Sequence, residues 1–335
     1  MKKSLITLGV LTLFVLIAYG QEKKFALYSV AFYNMENLFD TIHDEGKNDY
    51  EYLPNGTNQW NTMKYKAKLK NMSEILSLLS TDKLPMGPAI IGVSEIENYR
   101  VLEDILKQPA LADRGYQYVH YEGEDQRGVD CAFFYNPKLF ELTNSKLVPY
   151  VYINDTIHKT RGFLIASGNI AGEKMHFIVN HWPSRAAASP ARERAGEQVR
   201  AIKDSLLRED SAAKIVIMGD MNDDPMDKSM AVALGAKRKP ADVGPTDLYN
   251  PWWDTLKKGY GTLMYKGKWN LFDQIVFTGN LLGTDRSTLK FYKHEIFRRD
   301  FMFQKEGKYK GYPKRTQAGG VWLNGYSDHL PTIIY

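Results

Sequence analysis

The chain has 335 residues, 44% of them hydrophobic and 25% charged, a balance ordinary for a globular protein with a substantial core. Its 44 basic and 39 acidic side chains give a net charge of +5, too small an excess to mark a nucleic-acid binder, for which the signal is a concentrated basic face. The lone cysteine, Cys131, excludes an intramolecular disulfide, so stability must come from packing, helped by any bound metal.

At the start, Met1-Lys2-Lys3, an uncharged run over residues 4–18 and the closing Ala18-Tyr19-Gly20 have the three sections of a secretory signal, with cutting expected after Gly20. A retained membrane anchor is the lesser reading, because a run of about 15 residues is shorter than the roughly 20 that a spanning helix needs. No cysteine follows the run to carry a lipid. The expected location is the periplasm or the extracellular space.

Further along, short apolar runs at 28–33, 89–93, 131–135, 176–179, 214–218 and 274–278 read as buried strands. Helical spacing is seen at 62–79, where Leu69, Met72, Ile75, Leu76 and Leu79 share a face, and again at 191–207. Segments 41–61, 235–270 and 283–326, rich in aromatics, glycine and basic residues, read as surface loops of the kind that hold substrate. With no internal repeat and no linker, residues 25–335 are expected to form one layered α/β domain.

Acidic, amide and imidazole residues fall at the ends of these runs. Asn34, Glu95, the pair Asn180-His181, and Asp220 with Asn222 each follow a run, while Asp273 opens one and Ser327-Asp328-His329 precedes another. Side chains at strand ends can converge on one rim of a sheet. Carboxylate and amide oxygens are hard ligands suited to Mg²⁺ or Mn²⁺, ions that keep several waters and meet substrate phosphate. Thiolates are missing, and the histidine spacing does not suit an all-histidine zinc site. The chemistry this points to is phosphate-ester hydrolysis, with a divalent ion neutralising phosphate charge and an imidazole held by a carboxylate preparing water.

Several of these segments are together similar to ordered motifs of the endonuclease/exonuclease/phosphatase superfamily. They are Asn34-Met35-Glu36-Asn37, Ser94-Glu95-Ile96-Glu97-Asn98, Arg127-Gly128-Val129-Asp130, Asn180-His181-Trp182-Pro183, Gly219-Asp220-Met221-Asn222-Asp223 and Ser327-Asp328-His329. The resemblance implies a four-layered α/β-sandwich of two mainly antiparallel sheets flanked by helices, with the active site at one edge.

It also implies roles. Glu95 would bind the metal, with Asn34 and Asp328 close to it. Asp220 would orient or activate water, and Asn222 would hold a phosphate oxygen, the pair sharing one side of an extended segment. His329 would be the principal imidazole, hydrogen-bonded by Asp273, and His181 a second imidazole oriented by Asp130. Trp182 stands where the family carries a small or aliphatic residue. Arg127 and Arg185 are placed to reach phosphate, whereas Arg192 reads as a surface charge. His43, His120, His158, His176 and His294 read as surface or packing residues. The aromatics Trp252, Trp253, Tyr260, Tyr265 and Trp269 read as loop packing, with base stacking or a lipid headgroup pocket as the functional alternative.

The expected function is therefore metal-dependent phosphodiester hydrolysis by an exported nuclease, with nucleic acid as the expected partner. Cleavage of a phospholipid headgroup or another small diester is the second reading. A binding protein that kept the fold but lost the reaction is the third, disfavoured because the whole candidate set is present.

Overall fold

The structure, a computed structural model, describes residues 25–153, 155 and 157–335. The expected signal segment, residues 1–20, lies outside the described residues. In chain order the strands are β1 (Val30–Leu38), β2 (Ile90–Ile96), β3 (Gln117–His120), β4 (Asp130–Tyr135), β5 (Glu141–Val148), β6 (Phe163–Ile170), β7 (Glu173–His181) and β8 (Lys214–Asp220). They continue with β9 (Ala236–Lys237), β10 (Leu248–Tyr249), β11 (Leu263–Tyr265), β12 (Lys268–Asn270), β13 (Asp273–Thr278), β14 (His294–Ile296), β15 (Gln317–Ala318), β16 (Val321–Trp322) and β17 (Thr332–Ile334). The long helices are α1 (Thr62–Leu78), α2 (Tyr99–Leu106) and α3 (Ser189–Glu209).

Two sheets carry the molecule, in the orders β14-β17-β1-β2-β4-β3 and β5-β6-β7-β8-β13-β10-β9. Neighbours are antiparallel except at β1/β2, β7/β8 and β9/β10, so both sheets are mainly antiparallel, as expected. Alternation along each strand builds four layers. On β1, Val30 and Phe32 enter the core between the sheets, while Ala31 and Tyr33 face outward. There they meet Leu69, Met72, Ile75 and Leu76 of α1 and Val101 and Leu102 of α2. On β8, Val216 and Met218 point between the sheets and Ile215 and Ile217 pack against Ala195 and Val199 of α3. Strands covered on both faces read as unbroken apolar runs, which is why these central strands are visible in sequence.

The helices begin where side chains satisfy their first free N–H groups. Asn61 accepts from Lys64 N at 3.1 Å to start α1, and Asn98 accepts from Arg100 N at 2.9 Å to start α2. Gly92 lets the sheets approach closely, since a Cβ there would lie 2.6 Å from Met218 Sδ.

The sequence reading misses β3, β5 and β6 and treats 283–326 as loop, although that segment supplies β14 at the edge of the first sheet. β5 is an edge strand of polar sequence with little buried surface, and β6 is apolar over Phe163-Leu164-Ile165-Ala166 before Ser167, Gly168 and Asn169 break the run. Trp252 is fully buried between the sheets, and Arg298 lies 4.8 Å from the Trp269 ring and 4.9 Å from Phe303. Trp252 and Trp269 are packing, as expected, whereas Tyr260 and Tyr265, also expected to pack, are exposed.

Candidate active site

Strand direction gathers the site. β1 and β2 are parallel, as are β7 and β8, and β13 is antiparallel to β8, so the end of β8 and the start of β13 meet at one rim. Asp220 and Asp273 are register partners across β8 and β13, and His181 and Asp220 across β7 and β8. Gly219 permits that last approach, because a Cβ there would meet Asn180 O at 2.3 Å. His329 enters just ahead of β17, fixed by its backbone N–H donating to Ser327 Oγ at 3.1 Å while Ser327 Oγ donates to Asn34 O at 2.8 Å.

Bulges aim the acids. Pairing shifts between Asn34 and Leu38 on β1 and between Ser94 and Ile96 on β2, leaving Glu95 at φ 58° and Asn37 at φ 55°. Left-handed backbone at a non-glycine residue costs on the order of 1–3 kcal/mol, so the surrounding contacts must hold Glu95 in place. They do: Glu95 Oε2 accepts from Asn37 N at 3.0 Å and Oε1 from Asn34 Nδ2 at 3.1 Å. The same Asn34 amide donates to Asp220 Oδ2 at 3.0 Å, so one side chain bridges the two carboxylates.

Around this pair stand the imidazoles. His181 Nε2 lies 3.6 Å from Glu95 Oε1 and 3.7 Å from Asp220 Oδ2. His329 Nε2 is 3.9 Å from Asp220 Oδ2, and its Nδ1 is 2.7 Å from Asp273 Oδ2. Their protonation states diverge. Burial, followed by the Arg161 and Arg127 guanidiniums, holds His181 well below the ordinary imidazole range and therefore neutral. Burial also opposes charge on His329, but the carboxylates of Asp273 and Asp220 outweigh it and hold that ring well above the ordinary range, as imidazolium. Burial pushes Asp220 up to about 7 against the pull of His329, and Asp273 and Glu95 add to the rise.

The donor set fits a divalent cation. Ligand atoms of Glu95, His181 and Asp220 lie within 4.8 Å of one another. Three ligand atoms of hard or borderline type, two of them carboxylate oxygens, are the kind of set that a divalent cation takes.

Most of the expected residues come together here: Asn34, Glu95, His181, Asp220, Asn222, Asp273 and His329. Asp328 stands at the margin, with Oδ2 2.8 Å from Arg315 Nη2 and Oδ1 3.9 Å from His329 Nε2, so an arginine meets its charge. Asp130 does not orient His181. It pairs with His120 Nε2 at 3.2 Å and accepts from Gly123 N, leaving His181 Nδ1 without a hydrogen-bond partner among the described residues. Asn222 does not share an extended segment with Asp220. β8 ends at Asp220, Asn222 sits at φ 52°, and the two are joined by the Asn222 backbone N–H donating to Asp220 Oδ1 at 2.9 Å.

Arg192 is buried, 2.8 Å from Asp223 Oδ1, because α3 packs that face onto the turn after β8. Arg185 is occupied by Asp224 at 3.2 Å and Asp227 at 2.9 Å. Trp182, the departure from the family pattern, is fully buried under α3, and its carbonyl accepts from Arg161 Nη2 at 2.7 Å and Asn222 Nδ2 at 3.0 Å. Arg161 and Lys159 are cleft residues the sequence reading missed. Arg161 lies just ahead of β6, whose start shares a rim with the end of β7, and recognising β6 would have exposed it. The cleft over these residues measures about 480 Å³.

A sandwich with this strand-end set of acids, amides and two imidazoles is built for phosphoester hydrolysis. The chain belongs to the Endonuclease/Exonuclease/phosphatase family, whose model matches residues 29–335. Members of that family are hydrolases acting on phosphoester bonds and typically depend on a divalent metal. No curated protein sequence matches the chain significantly.

Solved structures share its fold at low identity. A Bacteroides thetaiotaomicron mannosyl-6-phosphatase superimposes with a TM-score of 0.57 at 14% identity, covering 92% of this chain and 99% of its own. A second protein of the family from the same organism gives 0.57 at 15%, covering 92% and 93%. D. rerio TDP2, complexed with single strand DNA product, gives 0.52 at 15%, covering 92% and 97%.

Proposed function

We propose that this protein is an exported, Mg²⁺- or Mn²⁺-dependent phosphodiesterase acting on nucleic acid. The observation that carries the reading is the placing of Asp220 between two imidazoles of opposite charge state, 3.7 Å from neutral His181 and 3.9 Å from cationic His329. A phosphodiester needs a water prepared on one side and a proton for its leaving oxygen on the other, and a carboxylate beside a cationic imidazole supplies both.

Glu95 would hold the cation, with Asp220 and His181 in reach and Asn34 fixing the two carboxylates. When bound, the ion supplies neutralisation of phosphate charge. Asp220 accepts the proton of the attacking water from its place between the two imidazoles, held by Asn34 and the Asn222 backbone. His329, its ring fixed by Asp273, donates its Nε2 proton to the leaving oxygen, which departs as an alcohol. Asn222, tied to Asp220 and to the Trp182 carbonyl, borders the same cleft and positions the phosphate. His181 presents Nε2 as its working nitrogen, and Asp328 stays outside the ligand set with Arg315.

The test is a comparison of plasmid DNA, phospholipid vesicles and mannose 6-phosphate at matched Mg²⁺ and low salt. Rapid cleavage of plasmid supports the nuclease reading. Rapid lipid cleavage with intact plasmid would overturn it and leave a diesterase, whereas hydrolysis of the monoester alone would place the protein with the phosphatases of its family. Export is read from the first twenty residues, and N-terminal sequencing of protein from the culture medium and periplasm checks it, the expected mature start being Gln21.

A further inference from the structure

The cleft has a basic wall to which the hydrolytic step assigns no contact with substrate. Arg161 is buried, with Nη1 donating to Asp125 Oδ2 at 3.1 Å and to Thr160 Oγ1 at 2.8 Å, and Nη2 to the Trp182 carbonyl at 2.7 Å. Its Nε has no partner among the described residues. Clamped in this way, the guanidinium is a fixed charge against the backbone that carries His181.

Arg127 and Lys159 line the same cleft with side chains 50% and 43% exposed, which leaves them free to swing toward a ligand. Their acidic neighbours do not cancel the wall. Asp125 is shared between Arg161 and Arg127, the latter at 3.4 Å, and among the described residues Lys159 meets the half-exposed Glu124 at 3.5 Å. Exposed pairs of that kind are weak and yield readily to a better anion. The cleft thus carries the carboxylates Glu95 and Asp220 of the reacting site and three cations, Arg127, Lys159 and Arg161, in one continuous space.

We propose that Arg127, Lys159 and Arg161 form a second anion subsite, which takes a phosphate adjoining the one hydrolysed. The inference rests on the phosphodiesterase reading and gives it a substrate class: nucleotide chains with more than one phosphate in register with the cleft. Arg161 supplies the standing charge, and Arg127 and Lys159 are the arms that close on the second phosphate. Charge-assisted bonds from guanidinium to phosphate oxygen are among the stronger ones available to a protein.

The experiment uses the thymidine dinucleotide monophosphate TpT and its two derivatives with an added 5′ or 3′ terminal phosphate. In wild-type protein with Mg²⁺, kcat/KM for one of the terminally phosphorylated forms is expected to exceed that for TpT by about 10-fold or more, a margin in keeping with charge-assisted phosphate contacts. Lys159→Ala and Arg127→Ala should each lower that ratio, the double variant should bring it close to one, and Lys159→Arg should keep most of it. Reading the ratio within each variant cancels partial losses of folded protein or of hydrolysis. A ratio near one in the wild type, or an undiminished ratio in the double variant, overturns the subsite and leaves the diesterase reading standing. Failure to hydrolyse any of the three dinucleotides overturns the reading beneath it.

Discussion

His329 Nδ1 lies 2.7 Å from Asp273 Oδ2, and Asp273 is itself the register partner of Asp220 across the two strands that close the site. The imidazole is held by a wholly buried carboxylate whose other oxygen, Oδ1, has no hydrogen-bond partner among the described residues. A buried acid engaged on one side only is stabilised by a cation close by, and the ring is the group that provides it.

If that ring stabilises charge in the transition state, His329→Ala should lower kcat on a phosphodiester by at least about 10²-fold, the scale of a lost positioned donor. Substrate binding should survive better than turnover. Asp273→Asn should injure the same step, since an amide can still hold the ring but brings no negative charge. Wild-type turnover in both variants would remove the pair from the reaction.

The same pair sets a pH dependence. His329 has a folded-state pKa well above the ordinary 6.5, because Asp273 and then Asp220 outweigh the opposing effect of burial. A raised folded value means that the stabilisation from this charge is full below about 6.5 and is lost as pH rises through the folded pKa. Asp273→Asn removes the largest raising charge, so the alkaline fall in kcat/KM and in unfolding free energy should both begin at lower pH than in the wild type. Rate and urea-unfolding profiles across neutral and alkaline pH check this, and an unmoved alkaline limb would contradict it.

Stability away from the reacting atoms depends on the buried pair Arg192 and Asp223, whose side chains are 7% and 4% exposed. Arg192→Met should destabilise the fold by up to about 3–5 kcal/mol, because it leaves the buried Asp223 with only Ser229 Oγ at 2.7 Å and the part-exposed Arg185 at 3.4 Å among the described residues. Adding Asp223→Asn should restore part of that loss. Urea unfolding of the two variants measures it, and a loss below 1 kcal/mol, the size typical of an exposed pair, would mean that the pair is solvated in solution.

Much of the site was legible because its residues interrupt apolar runs. Asp220 ends Ile215-Val216-Ile217-Met218, and Glu95 ends Ile90-Ile91-Gly92-Val93, in strands covered on both faces. What stayed hidden depends on pairing between distant segments. His120 and Asp130 meet because β3 and β4 are antiparallel with His120 opposite Ala132, a register no single run reveals. Arg192 sits on a helix among charged neighbours, and only the turn at Asp223 makes its face an inner one. Arg161 borders a strand whose apolar run, Phe163-Leu164-Ile165-Ala166, is only four residues long. The left-handed turn at Glu95 lies at a residue type that ordinarily avoids that conformation, so local propensity gives no notice of it, whereas Asn222 is of a type enriched there.

The central claim is that Glu95 anchors a divalent cation needed for phosphoester hydrolysis, and a metal titration of activity on bis(p-nitrophenyl) phosphate tests it most directly. Wild-type protein should be silent in excess chelator and regain activity with Mg²⁺ or Mn²⁺. Glu95→Gln, which keeps the shape and loses the charge, should require at least about 10-fold more metal for half-maximal rate, the lower end of the effect of disturbing a metal site. Full turnover in chelator, or an unchanged titration in Glu95→Gln, would contradict the account.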